Sequence, residues 1–180
     1  AMKKVVRKVF WAWQAEEEEQ WLNEMARDGW VLCEVGWCKY TFEPCEKGEY
    51  QFRLEYLVNN IGHSESVKYI NFIEETGAEY VGHWMRWVYF RQNTAKGDFE
   101  LHSSRVSKIK YMERVTGLIS GLAIANLVIG ISNILISLIT DTSFNMIGIV
   151  NIILAWFLYR GYKKINAKCQ KLVEEQQLFE

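Results

Sequence analysis

Three histidines, four cysteines and a run of glutamates are the side chains of this 180-residue chain that could act as catalysts or metal ligands. His63 falls in a loop, His83 in a strand and His102 ahead of a basic segment. None has a Ser, Cys or carboxylate at the spacing of a nucleophile and its base. Cys33, Cys38 and Cys45 are close in sequence, with four and then six residues between them, and no CxxC or CxxH accompanies them. A structural zinc site draws on such short paired spacings, so these cysteines read instead as small hydrophobes. Glu16 to Glu19 read as a solvated helix start, and no GxGxxG or GxxxxGK loop is present. No catalytic residue, metal ligand or cofactor is therefore assigned, and the expectation is a protein that is not an enzyme.

What must position any site is dominated by the C-terminal half. Val115 to Ile139 runs twenty-five residues without a charge. A bilayer core about 30 Å thick is crossed by roughly 20 apolar helical residues, so this segment is expected to span. A polar break at 140–143 leads to a second uncharged stretch, Phe144 to Tyr159. Basic residues flank the outer ends of this pair: Arg105, Lys108, Lys110 and Arg114 before it, Arg160, Lys163, Lys164, Lys168 and Lys171 after it. The turn between has Asp141 and no basic residue, so the positive-inside rule puts both termini in the cytoplasm. No signal peptide is expected, because Lys3, Lys4, Arg7 and Lys8 interrupt the only apolar candidate. The expected division is 1–104 cytoplasmic domain, 105–114 basic juxtamembrane helix, 115–139 first span, 140–143 external turn, 144–162 second span and 163–180 amphipathic cytoplasmic tail. In a reducing cytoplasm the cysteines stay thiols.

Within 1–104, Lys3 to Trp13 reads as a strand and Glu16 to Asp28 as a helix with its acidic first turn on the positive dipole end and Gly29 as its cap. Trp30 to Phe42 reads as a second strand. Tyr50, Phe52, Leu54 and Tyr56 alternate with polar residues as a third. A second helix starts at Ser64 and ends at Gly77, and Ala78 to Arg91 reads as a fourth strand. The expected fold is α+β, a ferredoxin-like βαββαβ domain, followed by a two-helix transmembrane hairpin. Trp21 to Phe42 parallels Tyr69 to Phe90 at an offset of 48, as in Gly29 and Gly77 or Phe42 and Phe90, so the domain is expected to have two related halves.

The stretches FWAWQ (Phe10 to Gln14), WLNEMARDGW (Trp21 to Trp30), Tyr40-Thr41-Phe42, GEYQFRLEYL (Gly48 to Leu57) and WVYFR (Trp87 to Arg91) resemble the bacterial DUF2812 family over roughly residues 3–112. The resemblance implies a domain of unknown function followed by helices of the bacterial cytoplasmic (inner) membrane, often encoded beside PadR-type regulators, and from that a stress response. It carries no functional residues over.

Aromatics occur at both parities of three expected strands, more than two helices on one sheet face can cover. An open aromatic face is therefore expected, and such patches mark contact sites. Trp37, Trp87 and Tyr89 are the candidates for binding a partner or ligand. Residues 1–104 hold 12 Lys/Arg against 17 Asp/Glu, a balance of −5, which argues against nucleic acid. In the spans Gly117, Gly121 and Ala125 form a small-residue face for close helix approach, against Gly148 and Ala155 or a neighbouring chain. Asn126, Asn133 and Asn151 are expected to hydrogen-bond between helices, each worth about 0.6–2 kcal/mol. The first function class is a membrane-anchored interaction or sensory module acting on an unidentified protein partner or an apolar small molecule, in a homo-oligomer. The alternative is an oligomeric transporter accessory or channel-forming protein.

Overall fold

Helix α1 (Ala15–Arg27) begins where a 3-10 turn at Ala12–Gln14 lifts the chain off the first strand, β1 (Lys4–Arg7). Its first turn carries Glu16, Glu17 and Glu18, and Gly29 (φ 89°) receives the chain at its end. The computed structural model describes residues 3–102, 105–140 and 146–177, in two compact units, 1–104 and 105–180. Of the expected external turn only Thr140 lies among them, and 178–180 of the tail lie outside them.

The first unit is mixed α+β, with the order β1, α1, β2 (Trp30–Gly36), β3 (Lys39–Pro44), β4 (Tyr50–Tyr56), α2 (Ser64–Glu75), β5 (Glu79–Trp84), β6 (Trp87–Asn93). This differs from the βαββαβ order expected from the sequence. Each of the two long aromatic stretches is a tight hairpin rather than one strand. The order is βαββ twice, and the strands form two antiparallel sheets, β1-β3-β2 and β4-β6-β5. The offset of 48 extends to fine structure. Phe42 and Phe90 hold the same register position, and β2 and β5 bulge at equivalent places, Leu32/Glu34 and Tyr80/Gly82. The sheets come together along β2 and β5, where a Cβ on Gly82 would lie 3.1 Å from Val35 Cγ1.

Two cores explain the aromatic excess. Leu22 and Ala26 of α1 pack with Leu32, Tyr40 and Phe42 of one sheet and Phe52, Leu54 and Tyr89 of the other. Val88 and Phe90 point to the opposite side of β6, into a second core with Ile70 and Ile73 of α2 and with Phe99. The sheet β4-β6-β5 thus carries core on both faces of β6, which accounts for the aromatics at both parities of that strand. The outer edge of β4 is closed by side chains of α1. Asn23 accepts from Phe52 N (2.8 Å) and donates to Phe52 O (3.2 Å), while Glu19 accepts from Leu54 N (3.0 Å). These bonds satisfy backbone groups that an edge strand would otherwise present to another chain.

The second unit is a pair of helices, α3 (Arg105–Ile139) and α4 (Met146–Gln177). From Val106 to Ile139, α3 is long and apolar enough to cross a membrane, with most of its side chains turned outward. It is the only such helix among the described residues. The uncharged part of α4 there, Met146 to Tyr159, is roughly 21 Å long at about 1.5 Å per residue before Arg160 interrupts it, short of a full span. The helices pack antiparallel through Gly130 and Gly148. A Cβ on Gly130 would lie 2.9 Å from Gly148 O and 2.7 Å from Ile152 Cγ1.

Candidate functional site

The most exposed aromatic of the first unit, Trp37, owes its position to a two-residue turn. Gly36 pairs with Lys39 across β2 and β3, leaving Trp37 and Cys38 (φ 51°) as the turn. Trp84 pairs with Trp87 across β5 and β6, leaving Met85 (φ 53°) and Arg86. The positive φ falls on the second turn residue in the first hairpin and on the first turn residue in the second, and neither turn carries the usual Asn-Gly signal. The repeat makes Trp37 and Met85 equivalent. The two tips meet: the Trp37 and Trp84 rings stack at 6.4 Å with planes 10° apart. Trp37 is 74% exposed, Met85 71% and Trp84 40%.

The three binding candidates therefore do not share one surface. Trp37 stands at the tip. Trp87 is half-buried against Tyr56, ring centroids 4.9 Å apart, and packs on the first core. Tyr89 is buried, and its hydroxyl donates to Glu18 Oε1 at 2.6 Å. Trp84 and Met85 join Trp37 instead. The sequence signal that locates them is the offset of 48, which projects the first turn onto the second.

Basic groups surround the tip. Arg7 lies opposite Lys39 in the ladder, and Lys8 N donates to Cys38 O at 3.2 Å. Arg7, Lys8 and Lys39 are exposed. The Lys8 ammonium lies 4.6 Å from the Trp21 ring centroid. Arg86 turns back, donating to the carbonyls of Leu57 and Val58, with its guanidinium 4.5 Å from the Tyr56 ring centroid.

Beneath the tip lies a buried polar cluster. Glu18 Oε1 accepts from both Tyr40 and Tyr89 hydroxyls at 2.6 Å. Burial pushes the Glu18 carboxyl above its ordinary range, and the two hydroxyl bonds pull only partly back. Both phenols are pushed upward, first by burial and then by the Glu18 charge. Neutral tyrosines donating to one oxygen form a satisfied network, which suits a structural role.

The other chemistry-bearing residues are dispersed. Cys33 donates to Thr41 O at 3.2 Å, and burial pushes the Cys33 and Cys45 thiols up. Among the described residues no group of three or more His, Cys, Asp or Glu is placed to hold a metal ion. His63 Nδ1 caps α2 by accepting from Glu65 N at 3.3 Å, and His83 Nδ1 lies 2.6 Å from the Tyr80 hydroxyl. His102 Nε2 lies 3.1 Å from the buried Glu55 carboxylate.

In the helix pair, Gly148 and Ala155 are buried, as expected of packing residues. Gly117, Gly121 and Ala125 are exposed, and a Cβ on Gly117 or Gly121 would meet nothing within 4 Å. That face does not pack on α4, because the contact is made one helix face away, through Val115, Ile119, Ala123 and Gly130. Asn126, Asn133 and Asn151 each donate to the carbonyl four residues earlier, Leu122, Ile129 and Ile147, and Asn133 also faces α4, its Cβ 3.3 Å from where a Cβ on Gly148 would stand.

No curated protein and no solved structure matches the chain. A family model described as a protein of unknown function, DUF2812, matches residues 14–124, from the turn before α1 to just past the middle of α3. That is more than half of the chain, and the chain belongs to the DUF2812 family.

Proposed function

We propose that this protein is a membrane-anchored, non-enzymatic interaction or sensory module of the bacterial inner membrane, with both termini cytoplasmic and the hairpin tips of its first unit as the contact site. The observation that carries this reading is the apolar helix α3, mostly outward-facing, following a domain that exposes Trp37, Trp84 and Met85 together at its hairpin tips. The end of α4's uncharged stretch supports it. Arg160 lies over Trp156 at 5.1 Å and Lys163 over Tyr159 at 6.0 Å. Aromatic and basic residues in this combination favour a membrane–water interface. With α4 as a second crossing, Thr140 lies on the outer side of the membrane.

The test is labelling of intact cells with a membrane-impermeant maleimide. The parent, whose four cysteines are at Cys33, Cys38, Cys45 and Cys169, is expected to stay unlabelled until lysis, while Thr140→Cys labels in intact cells. Labelling of the parent in intact cells overturns the orientation. Release of the protein from membranes by alkaline carbonate overturns the anchoring.

A further inference from the structure

We infer that the occupant of the hairpin tips is an anionic lipid surface, an inference that rests on the reading of α3 as a membrane span. The tips combine two things a bilayer interface selects. Trp37, Trp84 and Met85 offer large, exposed apolar groups at the ends of stiff hairpins. Tryptophan in particular partitions to the headgroup level. Around them stand Arg7, Lys8 and Lys39. The strand ends and turns that build this end, residues 7–10, 36–39, 56–59 and 83–87, contain Arg7, Lys8, Lys39 and Arg86 and not one Asp or Glu. The unit as a whole has a balance of −5, so the basic character is local. Just outside these segments stand Glu34 on β2, Glu55 on β4 and the buried Glu18 beneath the tip, whose oxygen is taken up by the Tyr40 and Tyr89 hydroxyls.

Basic residues at an anionic membrane surface add attraction that falls off within a Debye length, and apolar side chains add depth of insertion. A second copy of the chain would bring the same positive charges against these, which opposes tip-to-tip pairing. The covalent link to α3 supplies the local concentration that a weak lipid contact needs.

The experiment places the photoreactive residue p-benzoylphenylalanine at position 85, in place of Met85, in the full chain. The protein is reconstituted into vesicles of phosphatidylcholine alone or with phosphatidylglycerol, and irradiated. The expected product is a lipid adduct identified by mass, with a yield that falls several-fold when phosphatidylglycerol is omitted. The double variant Arg7→Glu, Lys39→Glu should lower the yield by about tenfold in the anionic vesicles. A crosslinked dimer in place of the lipid adduct overturns the inference in favour of a second copy. Absence of any adduct, or a lipid adduct whose yield ignores phosphatidylglycerol, also overturns it. If the protein resists carbonate extraction while position 85 gives no lipid adduct, only this inference fails. If carbonate releases the protein, the anchoring reading fails first.

Discussion

Glu18 sets the sharpest stability expectation at the level of single residues. Its carboxyl is buried, and its folded-state pKa is raised above the ordinary value of 4.5. A raised carboxyl contributes stability that is fully present below that value and is lost as pH rises through the folded pKa. Stability of the parent should therefore fall, relative to Glu18→Gln, as pH rises from 4.5 through the raised value. Gln keeps the single oxygen that accepts from both tyrosines, so its thermal unfolding curve should show no such drift from this site. Glu18→Ala removes the acceptor from two buried hydroxyls and should cost about 1–3 kcal/mol at every pH. A parent and Glu18→Gln with parallel stability across the whole range would show that folding leaves the Glu18 carboxyl unshifted. None of this was legible in the sequence, where Glu18 is one of four consecutive glutamates and only one helical face of that run turns inward.

Elements were read well where periodicity and caps agree, and poorly where turns carry no signal. Both helices of the first unit and their glycine caps, Gly29 and Gly77, stand where acidic first turns and apolar stripes place them. The hairpins were missed because Trp37-Cys38 and Met85-Arg86 have neither Gly nor Asn, so each pair of short strands reads as one long apolar run. The small-residue face of Gly117, Gly121 and Ala125 is not the one that meets α4. Composition marks where helices could approach, but Gly130 opposite Gly148 decides where they do. Gly130→Val should therefore push α3 and α4 apart, since its Cβ alone meets Gly148 O at 2.9 Å. In detergent, the helix pair should lose thermal stability with Gly130→Val and keep it with Gly121→Val, whose Cβ meets nothing within 4 Å. Equal melting temperatures for the two variants would mean that the Gly130 contact contributes little.

For the whole molecule, the duplicated βαββ unit is the feature with the widest reach. The two halves match in strand order, in register and even in bulge position. Their surroundings do not match: α1 lies where residues of both sheets converge, whereas α2 serves only the second core. Interchangeable halves carry a hazard of domain swapping, in which the first half of one chain closes on the second half of a neighbour. Confinement to a membrane plane would raise that hazard, because neighbouring chains share an orientation and a thin layer. The Asn23 and Glu19 bonds to the backbone of β4 join α1 of the first half to a strand of the second, and only five residues lie between Pro44 and Tyr50. Those side-chain bonds tie the first half to a strand of its own chain's second half, and they favour closure within one molecule.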